Sequence, residues 1–354
     1  MQINFGLVAF FIVPFLAWAL APPACAAAAL PAGAMKARDA SVFTAYFEND
    51  KLGNTDHHYT SGTKLSWVSD DYSEWKQRAG LSSQLGDRLP MVNQEGTQKN
   101  FGVAMGQNIY TPTRTDLAVP DPTDRPYAGW SYLEFSFLSK SSERLDTLSV
   151  QLGIIGPHSY AQQVQNEVHR LIRVGQVRGW DYQLKDEFGM NVVVERKWRL
   201  YAGSLLNLVG ADLVPHVGLG LGNVQTYANA GATVRAGFQL PSDFGVQLIR
   251  PGGSGSTPAN DLDPRVSLTH NFSVFVFGAA DGRAVARDIF LDGNTFHGGP
   301  RVDRKNFVAD LSYGVGMIAG RFQVTFTQAY RTREFQLQHG RYTSFGSLTL
   351  SVAL

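Results

Sequence analysis

Apolar and polar residues alternate over long stretches of this chain. Leu148, Val150, Leu152 and Ile154 stand on one side of a segment whose other side is Ser149, Gln151 and Gly153. Leu133, Phe135 and Phe137 alternate with Tyr132, Glu134 and Ser136, and Phe322, Val324 and Phe326 alternate with Gln323, Thr325 and Thr327. The C-terminal run sets Leu348, Leu350, Val352 and Leu354 against Ser347, Thr349, Ser351 and Ala353. A period of two is the pattern of strands with one apolar and one polar face. The segments run to about 10–13 residues, the length a tilted strand needs to cross a bilayer. Their second face is small or polar, which suits a wet lumen better than the interior of a soluble sandwich. The pattern places strands near 41–50, 59–69, 100–109, 127–139, 145–156, 188–200, 211–226, 230–239, 266–291, 305–318, 321–334 and 341–354, with a bulge expected at Asp281-Gly282. The fold class expected is therefore all-β: a twelve-stranded antiparallel transmembrane β-barrel spanning 41–354. Strand direction makes Ala319-Gly320 a short periplasmic turn. It leaves 70–99 and 240–265 as unusually long periplasmic connections, the second carrying the flexible-looking run Pro251–Ser256.

One stretch breaks the period. Asn166-Glu167-Val168-His169-Arg170-Leu171-Ile172-Arg173 reads as a short helix in the third outer loop, with Asn166, His169 and Arg173 on a common face. An amide, an imidazole and guanidinium groups on a lone helix suit a site, and a solvated surface helix is the plainer alternative. Topology bears on the choice. Strand 1 ends at Asn49-Asp50, strand 3 at Asn108-Ile109-Tyr110 and strand 5 at Ile155-Gly156, so all three end on one rim, and the last feeds the helix.

Composition narrows the class. The first 35 residues carry no charged side chain, and an apolar run from Phe5 to Leu20 precedes small residues, Ala24-Cys25-Ala26 among them. Residues 1–26 are expected to be a signal peptide, followed by a lead-in at 27–40. Cys25 is the only cysteine, so the exported chain has no disulfide, thiolate nucleophile or cysteine metal ligand. A net charge of +1 excludes a polybasic nucleic-acid binder. Abundant glycine, 36 residues, and 12% aromatics suit tight turns and aromatic girdles. No zinc-binding His-Glu-x-x-His, nucleophile elbow, phosphate loop or EF-hand occurs.

Chemistry concentrates at the shared rim. Glu48-Asn49-Asp50 closes strand 1, where oxygen ligands suit a hard cation, though on spacing alone Asn-Asp reads first as a turn. His57-His58 diverge on extended backbone and read as a solvated pair. Arg125, in Asp124-Arg125-Pro126-Tyr127-Ala128-Gly129-Trp130, has the planar fork that clamps phosphate. Tyr127 and Trp130 fit an interfacial aromatic belt. Trp180–Glu187 adds further carboxylates.

Taken in order, Phe47-Glu48-Asn49-Asp50, His58-Tyr59-Thr60-Ser61-Gly62, Gln107-Asn108-Ile109-Tyr110-Thr111-Pro112, Asp124–Gly129, Ile155-Gly156-Pro157 and Gln165-Asn166-x-x-His169-Arg170 resemble the outer-membrane lipid A 3′-O-deacylases of the LpxR type. The resemblance spans the exported chain. It implies a bacterial outer-membrane hydrolase that removes a 3′-linked acyloxyacyl chain from lipid A in the outer leaflet with calcium as cofactor. By position it implies that His169 is the general base and that Asn49, Asp50 and Thr60 belong to the active site. The expected metal ligands are Asp50 and Glu187, and the expected substrate contacts are Arg125, Arg170, Arg173 and Lys64. An acidic residue of the family pattern is replaced here by Val174-Gly175-Gln176. The partner is lipopolysaccharide and the chain is expected to act as a monomer. A calcium-dependent outer-membrane phospholipase and a non-enzymatic porin-like barrel are the alternatives.

Overall fold

Thirteen strand segments form one sheet that closes on itself: β1 (Val42–Asn49), β2 (His58–Val68), β3 (Gln98–Thr111), β4 (Ala128–Lys140), β5 (Arg144–Ile155), β6 (Glu187–Trp198), β7 (Leu200–Leu205), β8 (Val209–Gly222), β9 (Gln225–Phe238), β10 (Phe272–Asp288), β11 (Phe307–Ala319), β12 (Phe322–Thr332) and β13 (Tyr342–Ala353). The computed structural model describes residues 40–50, 58–72, 96–171, 173, 175, 177–205, 208–246, 248–250 and 257–354. The expected leader at 1–26, most of the lead-in, His57 and the run 251–256 lie outside them.

The segments β6 and β7 make one stave. Asn191–Lys197 of β6 pair with Gly222–His216 of β8, and Leu200–Leu205 of β7 continue along the same β8 from Leu213 to Val209. The barrel thus has twelve antiparallel staves, sealed where β1 meets β13. Among the described residues no helix is long and apolar enough to cross a membrane, so crossing falls to the strands. Alternation fixes which way each side chain points, because a one-residue slip would exchange the faces. Outward go Phe43, Phe47, Leu65, Trp67, Leu133 and Phe326, all exposed; inward go Thr44, Ser66, Glu134, Ser149, Thr325 and Ser347, all buried. Outward Tyr313, Tyr330 and Tyr342 touch one another as an aromatic girdle.

The expected aromatic belt at Tyr127 and Trp130 is not found. Trp130 faces inward and stacks on Tyr132, and Tyr127 is covered by Trp180. The turn at Gly320 is as short as expected, with φ of 57°. The bulge expected at Asp281-Gly282 falls instead between Val285 and Arg287.

The wet lumen is corrected most. The segment that follows β9 enters the barrel and fills it. Phe244 and Ala259 pack with Val68, Leu138, Leu145 and Val214 of the wall. Farther up, Leu248 lies against a cluster containing Tyr59, Tyr110, Trp130 and Phe345, and the Ile249 amide donates to Glu48 Oε1 at 2.7 Å. Guanidiniums fasten the segment: buried Arg235 of β9 and buried Arg265 both bind Asp243, and half-buried Arg250 binds Glu195 at 3.1 Å. What remains inside includes a cavity of about 90 Å³ lined by Glu48, Tyr227, Arg250 and Asp281.

Candidate active site

Call the rim that carries the ends of β1, β3 and β5 the upper rim. The longest connection on it, between β5 and β6, holds helix α1 (Ala161–Leu171). Local sequence dictates how that loop starts. Gly156 takes a φ of 99°, and a Cβ there would come within 2.6 Å of the Asp186 backbone at the loop's other end, so only glycine lets the two ends approach. His158 Nδ1 lies 2.6 Å from Asp186 Oδ2 and closes the base. Pro157-His158-Ser159 then forms one 3₁₀ turn. The Ser159 carbonyl accepts from outward-facing Gln107 and Ser131, each at 2.7 Å.

The helix therefore docks on the outside of the barrel wall. Ala161 packs with Ile109, Tyr127, Val177 and Trp180. The Trp180 indole N–H donates to Gln165 Oε1 at 2.9 Å, pinning the helix one turn before His169. Gly129 supplies the seat, since any Cβ there would overlap the Ala161 methyl and the Ser159 hydroxyl. We predict that Gly129→Val displaces α1 and lowers activity at least tenfold while circular dichroism still reports an intact barrel; overpacking of this kind costs about 1–3 kcal/mol locally.

His169 Nδ1 is 2.9 Å from the carbonyl oxygen of Gly175. A carbonyl only accepts, so Nδ1 carries the proton and Nε2 of the neutral ring keeps its lone pair. The Val174-Gly175-Gln176 stretch thus contributes a backbone carbonyl to the histidine. Asn166 does not orient the ring; its Oδ1 is buried without a hydrogen-bond partner among the described residues. The expected shared face also ends early. The helix stops at Leu171, and Arg173 adopts a φ of 57°, which takes it off the Asn166–His169 face. Arg170 is exposed and paired with Glu167 one turn back. Below α1, outward Leu65, Met105, Leu133, Ile154 and Phe188 and the helix residue Val164 enclose an apolar groove of about 780 Å³.

At the ends of β1 and β2 a second group assembles. A bulge between Tyr59 and Ser61 leaves Thr60 without a partner in β3. Its carbonyl accepts from Asn49 Nδ2 at 3.1 Å and from the Asp50 amide at 3.3 Å, and its hydroxyl sits 2.6 Å from that of Thr111. Asn49, Asp50 and Thr60 are thereby held together, with Asp50 buried.

Three expected residues lie elsewhere. Lys64 points into the lumen, 1% exposed, with its ammonium 3.1 Å from Glu134, because even-numbered residues of β2 face inward. Glu187 is also turned inward, where Asn223, Asn294 and the Thr295 amide occupy its carboxylate at 2.8–3.2 Å. That carboxylate does not fit a calcium ligand. Arg125 is buried over the Tyr110 ring and bonded to Glu334 at 3.2 Å. Burial opposes the Glu334 charge, but the guanidiniums of Arg125 and Arg331 outweigh it and hold the carboxyl below the ordinary glutamate range. Glu334 therefore contributes stability that is present at neutral pH and is lost as pH falls through the lowered value. Arg125→Ala is predicted to cost about 1–3 kcal/mol at neutral pH, with the deficit shrinking on acidification, as unfolding at two pH values would show.

Sequence reading missed Gln165 and Trp180. The four-residue spacing of Gln165 and His169 was a usable signal, whereas Trp180 is brought to the helix only by the fold.

A sequence profile of the family described as "Outer membrane protein LpxR" matches residues 15–354. Among solved structures, LpxR from Salmonella typhimurium superposes with a TM-score of 0.68 at 18% identity, covering 89% of this chain and 100% of that one. The β domain of the Bordetella autotransporter BrkA gives a TM-score of 0.39 at 10% identity, covering 89% and 98%. No curated protein matches by sequence.

Proposed function

Since the chain belongs to the LpxR family of outer membrane proteins, we propose that it is a lipid A deacylase, hydrolysing the ester that links a 3′ acyloxyacyl chain to the sugar. The observation that carries the reading is the apolar groove on the lipid-facing wall directly beneath a histidine-bearing helix. A groove open to the membrane admits an acyl chain sideways, without extracting the lipid. His169 Nε2 takes a proton from water as that water attacks the ester carbonyl, while Gly175 holds the ring in the productive tautomer. Thr60 and Asn49 fix the polar end of the site, and the exposed guanidiniums of Arg170 and Arg173 face the phosphorylated headgroups of the outer leaflet.

The donor set at Asp50 and Asn49 is a carboxylate and a carboxamide oxygen, which suits a hard cation, and these residues would hold calcium. Bound there, calcium supplies Lewis-acid stabilisation of charge developing on the ester oxygen. Mass spectrometry of lipid A from cells expressing the protein tests the reading. The expected result is loss of the mass of one acyloxyacyl group, abolished by calcium chelation and restored by added calcium. Unchanged lipid A mass in calcium-replete cells would refute it.

A further inference from the structure

The docked face of α1 accounts for only part of its surface. Ala161 and Gln165 are buried against the wall. Tyr160, immediately before the helix, and Val164, Val168 and Leu171 within it recur at spacings of three and four, so they form one apolar stripe beside that face. The stripe is open: Tyr160 is 60% exposed, Val164 40%, Val168 42% and Leu171 71%. The remaining surface is polar, with Gln163, Glu167 and Arg170. The helix has one face docked, one apolar and bare, and one charged, and among the described residues the second has no partner.

The wall beside it indicates what that partner is. Phe188, the second residue of β6, faces outward and is exposed at the upper rim, and Met105 and Leu133 continue the exposed apolar surface down the staves. Val164 lines the same groove as these side chains. The stripe thus joins the barrel's exposed apolar belt at Val164. We propose that α1 is an interfacial helix whose Tyr160–Leu171 stripe is immersed among the lipids of the leaflet that surrounds the upper rim. Tyr160 places an amphipathic ring at the headgroup level, and Glu167 and Arg170 stay in water. Lipid contact then adds to the contacts of Ala161 and Gln165 that hold the helix against the wall. The inference rests on the barrel's place in a membrane and stands apart from the deacylase reading.

The test uses the full-length protein in a Cys25→Ser background, which removes the only cysteine. Single cysteines at Val168 and Leu171, and at Gln163 and Glu167 as polar-face controls, carry an environment-sensitive NBD label. The proteins are reconstituted in phosphatidylcholine vesicles with or without bromine on the upper acyl chain. The expected result is blue-shifted emission and quenching of about twofold or more by brominated lipid at Val168 and Leu171, with neither at the two controls. Water-like emission at all four positions would overturn the proposal. So would shielding at Val168 and Leu171 that bromine does not quench, accompanied by disulfide cross-linking between copies, which would make a second copy the occupant. The optical result is independent of whether lipid A is cleaved, so it fails or succeeds separately from the catalytic assignment.

Discussion

Replacing His169 with alanine is expected to slow ester loss from lipid A by about 10²–10⁴-fold, the usual contribution of a positioned general base. The geometry makes this stronger than a guess from residue type. The ring is anchored at Nδ1 by the Gly175 carbonyl at 2.9 Å, which leaves Nε2 as the basic nitrogen. Trp180 holds Gln165, and through it the helical turn that carries the histidine. His169→Gln provides the sharper control, since glutamine keeps bulk and hydrogen bonding but cannot accept a proton at neutral pH. Both variants should lose activity, and both should keep the sheet signal of the wild type, because His169 sits on the loop helix and not on a strand. Lipid A mass spectra after timed incubation, with protein levels matched, give the measurement. Deacylation at wild-type rate in either variant would remove His169 from the mechanism. Partial loss shared by Gln165→Ala would be the mark of a positioning effect.

The barrel was legible because its pattern is local. Leu148–Ile154 and Phe322–Thr327 each announce an inner and an outer face, and both are strands with the expected sides outward. The shared rim followed from strand direction alone. What failed was long-range. Lys64 and Arg125 look like phosphate ligands in sequence, yet Lys64 meets Glu134 and Arg125 meets Glu334, partners 70 and 209 positions away. The inward face of β2 was nonetheless readable from Thr60, Gly62, Lys64 and Ser66, so Lys64 could have been withdrawn by parity. Gly175 could not have been recognised, since a backbone carbonyl has no signature in the sequence. The filling of the lumen was equally hidden, because the segment after β9 lacks any period and its apolar contacts are with distant staves.

That filling leads to the second large effect, expected from Asp243→Ala. Three carboxylates, Asp212, Asp243 and Asp263, face three guanidiniums, Arg199, Arg235 and Arg265, inside the barrel. Asp243 is the member that joins the wall to the inserted segment, since Arg235 belongs to β9 and Arg265 to the segment itself. Removing it leaves an excess positive charge among groups that are almost wholly buried, which costs about 3–5 kcal/mol when a buried pair is broken from one side. Asp243→Asn should cost less, because the amide oxygen still accepts from one guanidinium. Heat denaturation followed by circular dichroism would order the three proteins as wild type, Asn, Ala. The segment should also loosen before the barrel melts, because the strand ladders do not depend on Asp243. Planar-bilayer recording then expects a closed wild type, and measurable ion conductance from the Ala variant and from a chain in which residues 241–266 are replaced by a short turn. If the Ala variant melts with the wild type and stays closed, the charge cluster does not hold the segment in place.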